Sequence, residues 1–263
     1  MLISVLPYLT AVVFVGGITY RVLRWLGLPV PTMIMLTPAP ITRSGVVKRL
    51  GVEFLAFASL GKAGRKLWFG GWLFHILLGL TLLTHIVTIF FPAIWATLGY
   101  GFYQTAGYAG ILFAAVLCFL LFRRIFHPGI RYVSRYSDYF ILMYLIILVI
   151  LGNYLRAYGK VELGAVSSYF YSLLTFQPTL PPTDLAFLSH LLLAQIFLMY
   201  LPFSKVAHLI GWVLAPTKNQ RNVARAEWHQ NPWNPIVKTE EWNDYARKFQ
   251  RELEELGPGG ERR

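Results

Sequence analysis

Residues 68–122 read WFGGWLFHILLGLTLLTHIVTIFFPAIWATLGYGFYQTAGYAGILFAAVLCFLLF, a run with no Lys, Arg, Asp or Glu. A helix at a protein surface keeps polar or charged residues on the face it turns to water. This run has too few polar residues to build such a face, and about 20 apolar residues suffice to cross a bilayer as a helix. It is long enough for two crossings, at 68–91 and 105–122. The same criterion, applied outward from this run, finds three more spans, at 3–25, 138–156 and 184–213. Pro202 lies inside the last and is expected to kink it, because proline removes a helical N–H and crowds the preceding turn. Composition agrees with this reading: 14% of the chain is charged and 56% hydrophobic, against about 25% charged in ordinary soluble domains. The expected fold is all-α, an integral membrane bundle of five transmembrane helices. The opening residues, MLISVLPYLTAVVFVGG, have no basic leader and no small-residue cleavage site, so they read as a retained first span.

A net charge of +12 is common in proteins that bind nucleic acid, but its placement here excludes that partner. The basic residues flank the apolar spans and alternate sharply in number from one connection to the next. Arg21, Arg24, Arg43, Lys48, Arg49, Lys62, Arg65 and Lys66 lie at the first connection, and Arg123, Arg124, Arg131 and Arg135 at the third. The second connection carries no charge, and the fourth holds only Arg156 and Lys160. From Lys205 onward come the remaining ten, so the two sides hold 22 and 2 of the 24 basic residues. The positive-inside rule then predicts an N-terminus outside and a C-terminus in the cytoplasm. Two domains follow from this layout: a membrane domain at 1–213 with a cytoplasmic interfacial segment at 28–67, and a cytoplasmic tail at 214–263. The Pro-rich PVPTMIMLTPAP (29–40) cannot continue a helix. GVVKRLGVEFLAFASL (45–60) has the spacing of an amphipathic interfacial helix. In the tail, EEWNDYARKFQRELEEL (240–256) has a helical pattern.

Side chains able to bind a metal are costly inside a span and usually functional. Four of the six histidines lie in two spans: His75 and His85 in the second, His190 and His208 in the fifth. These spans run antiparallel, which puts His75 level with His208 and His85 level with His190. Ten helical residues rise about 15 Å and eighteen about 27 Å, so the two levels average about 21 Å apart, with the Pro202 kink and tilt absorbing the mismatch. Two imidazoles from facing helices at each level make a bundle-core cofactor site. Such a pair fills both axial positions of a haem iron and leaves none open, which suits electron transfer rather than oxygen binding. The expected cofactors are two b-type haems. The competing readings of intramembrane histidines are a proton relay or metal-ion transport. Intramembrane carboxylates are sparse, Asp138 and Asp184 sitting at span ends, and a zinc site needs its ligands close together. His127 and His229 lie outside the spans and read as surface residues, and Cys118 as a small buried hydrophobe. One cysteine cannot ligate an iron–sulfur cluster.

Five spans with histidines ten apart on the second and eighteen apart on the fifth resemble the gamma subunit of respiratory nitrate reductase and its relatives. These are dihaem cytochromes b that exchange electrons between membrane quinone and a cytoplasmic partner. The resemblance covers about residues 1–213 and implies the same pairing, His75 with His208 near the cytoplasm and His85 with His190 distal. TPAP (37–40), GW-x-FH (71–75), PFSK-x-x-H (202–208), APTKNQ (215–220) and NPWN (231–234) are similar to the DsrM/HmeC/TmcC branch. That likeness implies a cytoplasmic iron–sulfur partner of the heterodisulfide-reductase type, a role in dissimilatory sulfur metabolism, and menaquinol or menaquinone as the membrane reactant. A nitrate-reductase-type quinol-oxidising subunit and a haem-free anchor or transporter stand as alternatives. No catalytic residue is expected in the chain itself.

Near the outer haem, Tyr100, Tyr103 and Gln104 are candidates to hydrogen-bond a quinone carbonyl, against an ordinary aromatic belt. Arg123, Arg124, Arg135 and Lys205 are candidates for the propionates of the inner haem, with Arg156 at the other boundary. All of these also satisfy positive-inside with no further role. Trp228, Trp233 and Trp242 are candidate partner anchors, with interface packing as the competing reading.

Overall fold

The structure, a computed structural model, describes residues 2–28, 38–215, 217–222 and 240–256. Regular structure among the described residues is helical throughout. Five helices are long and apolar enough to cross a membrane: Ser4–Leu26, Arg65–Phe90, Gly107–Phe126, Tyr136–Tyr158 and Leu185–Phe203. They lie within α1 (Leu2–Leu26), α4 (Arg65–Phe90), α5 (Ala93–Phe126), α7 (Tyr136–Tyr158) and α9 (Leu185–Tyr200) with the turn that follows it. The all-α, five-span membrane fold expected from the sequence is therefore the fold observed. Helix α5 starts well before the expected 105, because after Pro92 nothing interrupts its backbone ladder until His127.

The fifth span departs most from expectation. Instead of a kinked helix over 184–213, α9 stops at Tyr200. Two 3₁₀ turns follow, Leu201–Phe203 and Lys205–Ala207, and then a one-turn helix, α10 (His208–Gly211). Pro202 has no N–H to continue the ladder. Ser204 is extended, and its hydroxyl donates to Leu201 O (2.9 Å) while accepting Val206 N–H (3.1 Å). The expected bend is thus a break with its own local bonding.

The contacts give the topology. Helix α1 runs parallel to α9: Thr10 meets Gln195 at 3.2 Å and Gly17 lies against Pro202, while Tyr8 donates to Leu173 O in the segment that precedes α9. Helix α7 is antiparallel to α9, with Tyr144 donating to Leu193 O (2.8 Å). Helices α7 and α5 are antiparallel at close range, since a Cβ on Gly110 would strike Asn153. Gly70 of α4 faces Phe119 of α5 in the same way. Small residues that let backbones approach are the usual device for packing helices in lipid, where no hydrophobic drive holds them together. The resulting arc runs α1–α9–α7–α5–α4. Its core is Leu77, Phe113, Val116, Leu117 and Leu145.

Shorter helices finish each end. Helix α8 (Leu163–Leu174), which the sequence reading did not foresee, closes against α4 with Ser167 donating to Ile89 O (2.9 Å). At the basic end, α2 (Arg43–Ala56) is capped by Thr42, which accepts Gly45 N–H. It turns into α3 (Ala58–Ala63) through Phe57, whose φ of 45° is left-handed. Trp68 and Trp72 of α4 donate their indole N–H groups to Ala56 O (2.7 Å) and Leu55 O (2.8 Å). They thereby satisfy carbonyls that a helix end leaves free. Glu53 accepts from the Ser59 backbone and hydroxyl and lies 3.9 Å from Lys218. Burial pushes its carboxyl pKa up, but Ser59, Lys218 and Arg49 outweigh this and hold it below the usual range. Asn222 N–H donates to Pro40 O (2.8 Å). The compact unit continues to 222 among the described residues. A second unit contains the two short helices α11 (Trp242–Lys248) and α12 (Gln250–Leu256), where one continuous helical run had been read. Helix α6 (Pro128–Val133) links α5 to α7.

Leu117 is fully buried and Ile147 is 55% exposed on the outside of α7. Leu117→Ala is expected to cost on the order of 2–5 kcal/mol through the cavity it leaves. Ile147→Ala is expected to stay within about 0.5 kcal/mol. Thermal unfolding in detergent checks the contrast.

Candidate functional site

Helices α4 and α9 face each other across a gap rather than packing as a pair. Helix α4 is held by α5, α3 and α8, and α9 by α1 and α7. The four span histidines meet across this gap. His75 and His208 have ring centroids 6.0 Å apart with planes at 85°. His85 and His190 stand 6.1 Å apart with planes at 17°. The levels match those read from the sequence. On unbroken α4 the two histidines are ten residues apart, about 15 Å of rise. The eighteen residues from His190 to His208 include the two 3₁₀ turns and the extended Ser204 between them.

The backbone orients each ring. His75 Nδ1–H donates to Gly71 O (2.6 Å), His85 Nδ1–H to Thr81 O (2.7 Å) and His208 Nδ1–H to Lys205 O (3.0 Å). A carbonyl can only accept, so in the neutral ring the lone pair of Nε2 is the one available to a metal on each of these three. Metal-bound imidazoles are commonly held this way by the ring nitrogen that does not bind. His190 Nδ1 alone of the four is buried without a well-formed hydrogen bond, with the Leu148 backbone beside it. Two imidazoles bound by nitrogen on opposite sides of one metal, at roughly 2 Å each, have ring centroids about 6 Å apart once the ring radii are added. Both pairs meet that spacing. Among the described residues no three His, Cys, Asp or Glu side chains converge on a metal-sized site. The donor set is thus two imidazoles per level and no more, which fits a cofactor that supplies the other four donors itself, as haem does.

The surroundings include residues that sequence reasoning missed. Gly152 of α7 leaves room for the His190 ring, since a Cβ there would meet its Cε1 at 3.1 Å. Nothing lies within 4 Å of a Cβ built on Gly79, between the two histidines of α4. Phe57, from the left-handed elbow of α2–α3, packs on His75 at 4.9 Å, and Phe74 meets the same ring edge-on. A phenylalanine at positive φ leaves no mark in a sequence, whereas glycines beside a ligand helix are a signal that could have been followed.

The propionate candidates are placed unevenly. Lys205 Nζ donates to both oxygens of Asp138, at 2.7 and 2.9 Å. Arg124 pairs with the same carboxylate at 3.5 Å and donates to Ser134 Oγ. Arg135 gives Asp138 its backbone N–H at the start of α7. Asp138 thus gathers three of the four, and Arg123 sits partly buried in the last turn of α5. The side chains of Tyr100, Tyr103 and Gln104 lie outside the described residues, as do Trp228, Trp233, His229 and the NPWN motif. Trp242 is exposed and stacks on Tyr245. His127 ends α5 and is exposed, and Cys118 is a free, partly buried thiol in α5.

The chain spans most of the length of two characterised relatives. It is 32% identical over 279 residues to the Hdr-like menaquinol oxidoreductase cytochrome b-like subunit of Archaeoglobus fulgidus, covering 88% of this chain and 82% of the relative. The subunit of the same name from Archaeoglobus profundus is 29% identical over 274 residues, with the same coverage. Residues 50–225, which contain both histidine pairs, match the family model described as nitrate reductase gamma subunit. The chain therefore belongs to the nitrate reductase gamma subunit family of multi-pass membrane proteins.

Proposed function

We propose that this chain is the membrane cytochrome b subunit of a menaquinol-linked respiratory complex, carrying two b-type haems. In this reading electrons pass between menaquinol and a cytoplasmic iron–sulfur subunit of the heterodisulfide-reductase type, within dissimilatory sulfur metabolism. The observation that carries it is the pair of facing imidazole pairs, each about 6 Å across and stacked along one gap. The names of the Archaeoglobus relatives support the menaquinol and the Hdr-like complex.

His75 with His208 would hold one haem and His85 with His190 the other. Held by two imidazoles each, such haems would supply one-electron carriers rather than oxygen-binding sites. The chain's own contribution is orientation. The carbonyls of Gly71, Thr81 and Lys205 fix three rings, and Phe57 and Phe74 cover the His75 ring. The chain has a single cysteine, so the clusters belong to the partner. Positive-inside places the His75/His208 level, with its Arg and Lys residues, on the cytoplasmic side, facing that partner. The His85/His190 level then lies towards the outside, where quinol is taken to react.

A reduced-minus-oxidised spectrum of the purified protein is expected to show a b-type alpha band equivalent to two haems. Removing one outer ligand, by His85→Ala or His190→Ala, is expected to halve it. A spectrum with no alpha band in the intact chain overturns the haem reading, and full retention in both variants overturns the pairing. Orientation is tested separately. A fluorescent protein fused after residue 263 is expected to fluoresce, and a phosphatase active only outside the membrane is expected to be silent there. The opposite pattern reverses the topology.

A further inference from the structure

The break in the fifth span raises a problem of its own. A broken helix in lipid exposes carbonyls that no water can satisfy, and such breaks persist only where other groups re-satisfy them. Here the donor comes from another span. Arg21 of α1 reaches across and gives Nη1–H to Pro202 O and to Ser204 O, the latter at 2.7 Å. A cation at the C-terminal end of a helix also opposes the negative end of its dipole, so Arg21 fits the end of α9 on two counts.

The contact is not isolated. Gly17, Arg21 and Trp25 are spaced four residues apart and share one face of α1. Gly17 lets Pro202 sit directly on the α1 backbone: a Cβ there would come within 2.7 Å of Pro202 Cβ. Arg21 holds the two carbonyls and lies 5.2 Å over the Trp25 ring. Trp25 packs on Gly211, where a Cβ would meet its ring at 3.1 Å. These contacts meet the fifth span at its first 3₁₀ turn, at Ser204 and at the end of α10, on either side of the second turn. His208 lies between them, its ring fixed by the Lys205 carbonyl inside the bridged segment.

We propose that α1 is a splint across the break in the fifth span, and that Gly17, Arg21 and Trp25 are positioning residues for His208. This rests on the dihaem reading above. His190 stands on continuous α9 beside α7, whereas Gly17, Arg21 and Trp25 meet the fifth span at Pro202, Ser204 and Gly211. The splint therefore sets the inner centre and leaves the outer one alone. Arg21 has a role beyond the charge asymmetry from which the sequence reading drew it.

The test is a potentiometric titration of the alpha band in the protein within its native membrane, with His208→Ala identifying the inner component. Arg21→Gln is expected to lower the occupancy of that component by half or more, or to shift its midpoint, while the outer component stays in place. Arg21→Lys, which keeps the charge but not the fork, is expected to recover part of the loss. Gly17→Ala perturbs the same break by steric means. It is expected to move the same component, and it carries the test where Arg21→Gln fails to insert. Both components unmoved, or both moved equally, in Arg21→Gln and Gly17→Ala overturns the splint. An intact protein with no inner component overturns the dihaem reading itself, and the splint with it.

Discussion

Inside a bilayer every backbone N–H and C=O has to find its partner within the protein. In this chain that constraint is met in the ordinary way along α4, α5 and α7, which are unbroken helices. It is met in a less ordinary way along the fifth span, where Pro202 stops the ladder and Ser204 and Arg21 replace the missing bonds. The geometry of the histidine pairs depends on that replacement. A straight fifth helix would set its two ligands about 27 Å apart against about 15 Å on α4, and both pairs could not then close to the same spacing. The break lies between the two ligands of the fifth span, where that mismatch has to be taken up.

The remaining packing serves the same gap. Glycines at 70 and 110 draw α4 to α5 and α5 to α7, so the arc closes tightly everywhere except between α4 and α9. The indoles of Trp68 and Trp72 tie the α2–α3 elbow to α4, and that elbow delivers Phe57 to the His75 ring. Asp138 draws Lys205, Arg124 and the Arg135 backbone to one point at the start of α7. Lys205 adjoins the break, so this anchor pins the broken segment to α7 while Arg21 pins it to α1.

Much of this was legible in the sequence, for identifiable reasons. Spans can be read because the length and apolarity of a crossing are fixed by the bilayer, and the second span was read to within a few residues of α4. Histidine levels follow from counting residues on antiparallel helices, a calculation that survives small errors in boundaries. What could not be read depends on tertiary partners. A proline inside a span signals a bend, but whether it becomes a full break depends on whether a donor such as Arg21 stands opposite. The left-handed Phe57 is imposed by the docking of α2 and α3 on α4. Helix α8 was missed because LGAVSSYFYSLL is too short to cross a membrane and too apolar to read as a surface helix. The clustering of Lys205 and Arg124 on one carboxylate was hidden because the three are far apart in sequence.

The break also separates the two histidines of the fifth span mechanically. His190 moves as α9 moves, a stiff rod seated against α7. His208 belongs to a short jointed segment held by side chains from α1 and α7. The two are tied to the bundle by different contacts, α9 through Thr10 and Tyr144 and the segment through Arg21 and Asp138. Two histidines that share a span therefore stand on separately held pieces of it.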